Sequence, residues 1–318
     1  MRRRFAALLC LSALFAAGCG ASSDSGGSTP GKPDDVKVGL ISILDVAPIY
    51  LGKEKGFFTS RDINLTLQPA EGGTETVPSV MSGNQQFGFS NVVTLLLAQE
   101  QGLPVKAVTN GTNSTGVDGK DFGALMVASG SPIKTVADLK GKKVAVNTFK
   151  NVVELAVRAS ALKAGVDPSS IEFVKLGFPE MPAALADGRA DAVFVVEPFQ
   201  QIVLSQGGKA IASSYVDIAP DLCVAMYFTS KQLLGENPDL VKRFTAAMNE
   251  SLSYADAHPD EVRNVLPTYT KIGPELIPKL TLPKWPAEVN QESLKTIASL
   301  GKKEGILPGD PNLTDLLP

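Results

Sequence analysis

The chain has 318 residues, with 30 basic and 33 acidic side chains and a formal net charge of −3. Its hydrophobic fraction of 44% is ordinary for a globular protein, and its length suits one large or two medium domains. The slightly acidic balance disfavours nucleic acid as a partner, because nucleic-acid-binding domains concentrate basic residues.

The N-terminus has the pattern of an export signal. Residues 2–4 are arginines, and residues 5–18 carry no charge. As a helix this uncharged run reaches about 21 Å, short of the ~30 Å hydrocarbon core, which favours a signal peptide over 1–18 rather than a membrane span. The run ends at Ala16-Ala17-Gly18-Cys19, which resembles a bacterial lipobox. That resemblance implies diacylation of Cys19 and a lipid anchor on the extracytoplasmic face of the cell membrane. The alternative is an ordinary signal peptide with a coincidental cysteine.

Residues 19–35 predict a flexible tether. They are rich in Ser and Gly and hold no large apolar side chain, so they cannot bury enough surface to offset the entropy of ordering. Two acyl chains on Cys19 suffice for stable anchoring in the membrane. Removal of residues 1–18 takes away three arginines and no acid, which changes the net charge from −3 to −6.

Strand and helix patterns alternate through the next part of the chain. The predicted strands are 36–41, 63–67, 86–90 and 105–109, and the predicted helices between them are 49–58, 74–81 and 92–101. This alternation, with short connections, favours a mostly parallel α/β sheet.

A second α/β unit follows the first. Its predicted strands are 124–128, 143–146, 171–176 and 192–196, and its predicted helices are 135–139, 151–164, 181–187 and 198–206. After a strand at 224–228 the chain is almost all helical, with helices at 237–257, from 259 and at 292–303. We expect this C-terminal region to pack on the first unit, because no second flexible linker separates the two.

Four segments occur in the order found in one family of transport proteins. They are residues 48–58, 133–146 and 184–192, and the pair Glu197-Pro198. Together they resemble the solute-binding proteins of ABC importers for nitrate, sulfonates, taurine and thiamine precursors. The resemblance implies an α/β protein with the type II periplasmic-binding-protein fold, in which two α/β lobes enclose a ligand cleft and two crossover strands join them. It also implies a small-molecule solute as ligand and an ABC permease in the membrane as partner, driven by ATP hydrolysis on a separate subunit.

On this resemblance, lobe I comprises residues 36–123 and 225–318, and lobe II comprises residues 124–224. The crossover strands are expected near 122–129 and 224–230. A monomer without a cofactor is expected.

Ligands of open α/β sheets bind beyond the carboxyl ends of the strands, where helix N-termini also point. Polar residues follow several predicted strands there, and they are the candidate ligand contacts: Ser42, Asp45, Asn91, Asn110, Asn147, Thr148 and Glu197. For each of them the alternative is a role as a helix cap.

Asp45 and Glu197 bear on the chemistry of the ligand. Neither would help to bind a small anion, because a like charge at close range is repulsive. If both face the cleft, the ligand presents hydrogen-bond donors or a positive charge, as an aminopyrimidine thiamine precursor or another amine-bearing heterocycle does. Nitrate, taurine or an alkanesulfonate remains the alternative, since Asp45 could serve a turn and Glu197 could complement a helix dipole. Candidate stacking residues for a planar ligand are aromatic: Tyr50, Phe149, Phe178 and Phe199.

An enzyme is a second function class, because the related pyrimidine synthases of the yeast type share this fold. They are described as carrying a Cys-rich motif and catalytic His and Lys residues, and this chain has no such motif. Its single histidine, His258, ends a predicted helix, and Cys223 lies in an apolar run typical of a buried thiol. We therefore expect no catalytic residues, and no metal, since metal-ligand clusters are missing from the sequence. A third class, a lipoprotein that only presents a surface to other proteins, would need no cleft.

Overall fold

Two five-stranded sheets organise residues 32–318, which are the residues that the computed structural model describes. The predicted signal peptide, Cys19 and the tether up to residue 31 lie outside them. The strands are β1 (Asp34–Leu40), β2 (Ile63–Pro69), β3 (Phe87–Asn91), β4 (Val105–Asn113), β5 (Gly123–Val127), β6 (Lys143–Val146), β7 (Glu172–Lys175), β8 (Ala192–Val196), β9 (Lys209–Ala212) and β10 (Cys223–Ser230). The α-helices are α1 (Ala47–Glu54), α2 (Gly73–Met81), α3 (Val92–Glu100), α4 (Val152–Lys163), α5 (Met181–Ala186), α6 (Phe199–Ser205), α7 (Ser214–Ile218), α8 (Lys231–Glu236), α9 (Pro238–Ala257), α10 (Pro259–Val265), α11 (Gln291–Lys303) and α12 (Leu313–Leu316).

Each sheet is mixed rather than fully parallel. The strand order is β2-β1-β3-β10-β4 in the first sheet and β7-β6-β8-β5-β9 in the second. The first three strands of each order pair in parallel, whereas the fourth, β10 or β5, is antiparallel to both of its neighbours. Because parallel strands end at the same edge, the carboxyl ends that could hold a ligand are gathered at one edge of each sheet.

The chain passes between the sheets twice. Residues 114–122 lead from β4 to β5, and residues 219–222 lead from α7 to β10. The predicted crossovers, 122–129 and 224–230, correspond to β5 and β10, each of which is paired on both sides within one sheet. The connections therefore come a few residues earlier than predicted. An apolar run marks a buried strand, but it does not show where the chain changes sheets.

Helix α9 covers part of the first sheet. Phe244 of this helix stacks on Phe87 of β3 with ring centroids 3.7 Å apart, and both rings are fully buried. The helix starts where Asn237 accepts a hydrogen bond from Leu240 N and Pro238 takes the first helical position. The C-terminal part of the chain thus packs on the sheet formed by β1 to β4 and β10.

Candidate ligand-binding cleft

A cleft of about 550 Å³ lies between carboxyl ends of strands from the two sheets. Its walls are residues 41–43 after β1, residues 69–71 at the end of β2, and residues 177–180 after β7, together with Glu75 and Phe199. Ligand pockets commonly enclose ~300–1,000 Å³ and occur at this edge of α/β sheets. The cleft is therefore the candidate binding site.

Two aromatic rings form an apolar wall of the cleft. Phe178 and Phe199 are nearly parallel, with an angle of 14° between the rings and 6.2 Å between the centroids. Phe178 is buried, whereas Phe199 remains partly exposed. Both were predicted as stacking residues, and both line the cleft. Such a wall offers apolar contact to a planar ligand.

Three glutamates give the cleft its charge. They are Glu71, Glu75 and Glu180, and no Lys or Arg joins them in the lining formed by the described residues. Glu75 Oε2 accepts a hydrogen bond from Glu71 N at 3.0 Å, and Glu180 Oε2 accepts one from Gly177 N at 3.1 Å. Within residues 32–318 none of the three forms a salt bridge. Their negative charges are therefore left without a basic partner.

A side chain caps the N-terminus of α3, whereas α2 has no side-chain cap. Glu75 lies in the first turn of α2, and its carboxylate reaches back to the chain before the helix. Asn91 caps α3, where its Oδ1 accepts a hydrogen bond from Thr94 N at 3.0 Å. The same oxygen accepts one from Val152 N of α4 at 3.3 Å, so Asn91 links the helices of the two sheets. From the sequence, Asn91 is either a ligand contact or a helix cap, and in this structure it is a cap.

Asn151 caps the N-terminus of α4, and Glu154 bonds to the chain just before the helix. Asn151 Oδ1 accepts a hydrogen bond from Glu154 N at 3.0 Å, and Glu154 Oε2 accepts one from Lys150 N at 2.7 Å. Asn147 is buried and its Oδ1 accepts a hydrogen bond from Asn151 Nδ2 at 2.8 Å, while Thr148 beside it is also buried. Asn147 and Thr148 thus lie at the end of β6 as predicted, but neither is among the residues that line the cleft. Of the predicted contacts, Ser42 does line it.

The join between the sheets is the place where Leu44, after β1, bonds to Glu197, after β8. Asp45 is buried there, with 2% of its surface exposed. Its carbonyl oxygen accepts hydrogen bonds from Trp285 Nε1 at 2.9 Å and from Thr112 Oγ1 at 3.1 Å. Its Oδ1 has no hydrogen-bond partner in the described part of the chain. Burial, with a smaller contribution from the charge of Asp121, raises the pKa of Asp45 to about 7. Asp45 does not line the cleft.

Glu197 is completely buried and connects the second sheet to the C-terminal region. Its Oε1 accepts a hydrogen bond from Thr281 N and its Oε2 accepts one from Gln201 N, both at 3.1 Å. Its carbonyl oxygen accepts a further bond from Leu44 N at 3.1 Å. Burial raises the pKa of Glu197 to about 7, although both hydrogen bonds oppose this shift. Like Asp45, it belongs to the join between the sheets rather than to the cleft lining.

The sequence predicts that Asn110 follows a strand ending at residue 109, and this prediction is wrong. Strand β4 continues to Asn113, and Asn110 lies inside it with no exposed surface. Its Nδ2 donates to Asn113 Oδ1 and to Pro286 O, at 2.9 and 2.7 Å, and its Oδ1 accepts from the thiol of Cys223 at 3.1 Å. All polar atoms of this side chain are thus engaged with the protein interior. The polar residues within 109–113 suggested a loop, although they continue the strand and face neighbouring protein rather than solvent.

Two of the predicted stacking residues lie elsewhere. Tyr50 stacks on Tyr269, with centroids 3.8 Å apart, and Phe149 is 49% exposed. The sequence prediction missed the glutamates of the cleft, because its candidate contacts follow strands other than β2 and β7. Glu71 precedes the pair Gly72-Gly73, which marks the turn from β2 into α2. The sequence signal for Glu71 is therefore an acidic residue directly before a Gly-Gly turn that joins a strand to a helix.

Two negative findings apply to residues 32–318. No group of three or more His, Cys, Asp or Glu side chains is arranged to hold a metal ion there. Over the same residues, no helix combines the length and the apolar character that crossing a membrane requires.

Sequence comparison relates the chain to both enzymes and binding proteins. The family model described as NMT1/THI5 like matches residues 44–262. The 4-amino-5-hydroxymethyl-2-methylpyrimidine phosphate synthase of Candida albicans is 24% identical over 228 residues, which are 67% of this chain and 64% of the synthase. The alignment thus spans less than two thirds of that relative. A putative binding protein of Brucella abortus is 22% identical over 240 residues, which are 74% of this chain and 72% of the relative.

Several solved structures with the same architecture are named as binding proteins or as a component of an import system. The zinc-bound ligand-binding component of an ABC-type import system from Staphylococcus aureus has a TM-score of 0.77 at 15% identity, over 90% of this chain and 96% of that one. The aliphatic sulphonate-binding protein of Escherichia coli has a TM-score of 0.72 at 19% identity, over 89% and 97%. The nitrate-binding protein of Synechocystis has a TM-score of 0.74 at 14% identity, over 87% and 83%. The chain therefore has the type II periplasmic-binding-protein fold and belongs to the NMT1/THI5-like family.

Proposed function

We propose that the chain is the extracytoplasmic solute-binding component of an ABC importer, anchored by lipid on Cys19 and acting as a monomer. The observation that carries this proposal is the cleft between the carboxyl ends of the two sheets. It has the volume of a small-molecule site, and binding components of import systems share the fold around it. A protein that only presented an outer surface to partners would not need such a cleft.

The solute that we favour is a small planar heterocycle, such as a thiamine-precursor pyrimidine. The parallel rings of Phe178 and Phe199 support a flat ligand. The names of relatives that make a pyrimidine phosphate point to the same chemistry. The alternative is nitrate, taurine or an alkanesulfonate, which the names of structural neighbours favour.

Capture is proposed to occur by closure of lobe I (36–123 and 225–318) on lobe II (124–224). Ligand contacts that exist only in the closed form shift the population toward it. A shift from 1:99 to 99:1 requires about 5.5 kcal/mol of differential binding. Hydrogen bonds at ~1 kcal/mol each together with apolar burial against the two phenylalanines can supply this amount.

An enzyme remains the less favoured candidate. His258 is exposed at the end of α9, and its Nδ1 is 2.7 Å from the carbonyl oxygen of Tyr254, outside the cleft lining. Burial raises the pKa of the Cys223 thiol, which disfavours the thiolate that a nucleophile needs. Mass spectrometry of the solute after prolonged incubation distinguishes the two classes, since a binding protein returns it unchanged.

Titration calorimetry of the chain from residue 20 onward tests the binding role. We expect micromolar or tighter binding of an aminopyrimidine, and a smaller radius of gyration by X-ray scattering in its presence. Phe178→Ala should weaken binding at least ten-fold, whereas the control Phe149→Ala, at an exposed ring outside the cleft, should not. Tight binding of taurine or nitrate, with no response to the pyrimidine, would favour the alternative ligands. For the anchor, cell fractionation should find the full chain in the membrane and the Cys19→Ser chain released from it.

A further inference from the structure

We propose that Glu71, Glu75 and Glu180 make the cleft selective for positively charged solutes and repel anions of the same size. This inference rests on the proposed binding function and specifies the class of solute for the same cleft. It concerns the sign of the charge on the ligand, which neither the fold nor the family fixes.

The charge of the lining points to a cationic ligand. Three carboxylates surround a cleft of about 550 Å³, and among the described lining residues no basic side chain offsets them. The low-dielectric wall formed by Phe178 and Phe199 strengthens the interaction of those carboxylates with a ligand held against it. An anion in this position meets repulsion, whereas an ammonium or protonated heterocycle meets attraction.

The helix N-termini that could reverse this preference already carry acceptors. Anion sites in α/β folds use the unpaired N–H groups and the dipole at a helix N-terminus. Here Glu75 brings a negative charge into the first turn of α2, and Glu154 does the same in the first turn of α4. Asn91 fills the corresponding position at α3. Asn91 and Asn151 thus cap α3 and α4, and at α2, where no side-chain cap is present, the charge of Glu75 opposes an anion.

The hydrogen bonds of the glutamates hold the carboxylates in place without neutralising them. Glu75 and Glu180 each accept a bond from a backbone N–H, which carries no net charge. A Gln side chain can accept the same bonds through its Oε1. Glu75→Gln and Glu180→Gln thus remove charge while the local backbone contacts are retained, which separates a charge effect from a loss of fold.

Three benzyl compounds of similar size provide a charge series: benzylamine, benzyl alcohol and phenylmethanesulfonate. Calorimetry at two salt concentrations should rank the amine first and the sulfonate last, with the preference reduced at high salt. Each Glu→Gln substitution should weaken binding of the amine by about 1.4- to five-fold, the range of exposed charge interactions, and the triple variant should lose the preference. Glu288→Gln is the matched control, because it removes one exposed charge outside the cleft.

A sulfonate that binds as well as the amine, or a ranking unchanged in the triple variant, would overturn charge selection while leaving the binding function intact. If none of the three compounds binds, the solute found in the wider calorimetric screen takes their place. A cationic solute whose binding is weakened by the Glu→Gln substitutions supports the proposal. An anionic solute overturns it. If no solute binds at all and the chain never compacts, the proposed function and this inference both fail.

Discussion

A rise in pH from 5 to 7 is expected to destabilise the protein through two carboxyl groups buried at the join between the sheets. Asp45 and Glu197 lie there without a basic partner among residues 32–318. Burial raises the pKa of Asp45 from 3.8 to about 7 and that of Glu197 from 4.5 to about 7. Between these values the folded protein keeps a proton that the unfolded chain releases, so the unfolding free energy falls as the pH rises.

The size of the effect follows from the two pKa values. One pKa unit corresponds to about 1.36 kcal/mol, so the ionisation of Asp45 in the folded state opposes stability by about 4 kcal/mol above pH 7. The corresponding figure for Glu197 is about 3 kcal/mol. Most of this loss should occur between pH 4 and 7, and stability should then level off with respect to these groups. Asp121, whose pKa burial also raises, adds a contribution of the same sign.

Asp45→Asn is the informative perturbation, because the amide is nearly isosteric with the carboxyl group and does not titrate. Urea unfolding at half-unit steps of pH, followed by circular dichroism, gives the dependence of the unfolding free energy on pH. The variant should lose about 1.4 kcal/mol per pH unit of the wild-type slope between pH 5 and 7. Asp118→Asn provides the control, since Asp118 is exposed and forms no hydrogen bond or salt bridge within the described residues.

Equal slopes for wild-type protein and Asp45→Asn over that interval would refute the titration of Asp45. So would a control that flattens the slope as much as the buried substitution does. The slope decides the matter rather than the stability at one pH, because a buried Asn without a partner has a desolvation cost of its own.

Phe244→Ala should lower the unfolding free energy by about 3–5 kcal/mol, because its buried ring stacks on Phe87. Urea unfolding measures this loss, and a loss below about 1 kcal/mol would contradict the packing. Glu304→Gln should lower the unfolding free energy by up to about 1 kcal/mol, since its carboxylate lies 3.8 Å from Arg158 of α4 and ties the end of α11 to the second sheet. Urea unfolding checks this, and a loss above about 2 kcal/mol would contradict the small contribution of this ion pair. Cys223 should resist maleimide until the chain unfolds, because it is buried and burial raises the pKa of its thiol. Labelling of Cys223 in the folded protein, detected by peptide mass spectrometry, would refute this.

Elements with long, regular patterns were accessible from the sequence. The predicted helix 237–257 corresponds to α9, because Asn237 and Pro238 start it and Pro259 begins the next helix. Strand β9 and helix α7 were not predicted. No residue of β9 is fully buried, unlike three of the four residues of the equally short β6, and the five residues of α7 are too few to show a helical period. The last residues of β4 were missed for another reason: their polar side chains bond to protein groups contributed by distant parts of the chain.

The candidate site was predicted only in part, because burial is a tertiary property. Ser42, Phe178 and Phe199 line the cleft, and the edge of the sheet was the expected one. Asp45 and Glu197 have the spacing of cleft residues, yet the C-terminal region covers them through Trp285 and Thr281. Nothing in the local sequence around either acid indicates that a segment more than 80 residues away folds over it.

The ligand class depends on the residues that cap the helices more than on the fold. In an α/β sheet, helix N-termini lie at the edge where ligands bind, and an uncapped N-terminus there favours an anion. An anion can use those N-termini only where side chains leave them free. In this chain Asn91 and Asn151 cap α3 and α4, and Glu71, Glu75 and Glu180 place negative charge in the cleft. A TM-score of 0.72 to a sulphonate-binding protein is therefore compatible with the opposite preference for ligand charge. Replacing Glu71, Glu75 and Glu180 with glutamine should therefore move the preference toward anions without altering the fold.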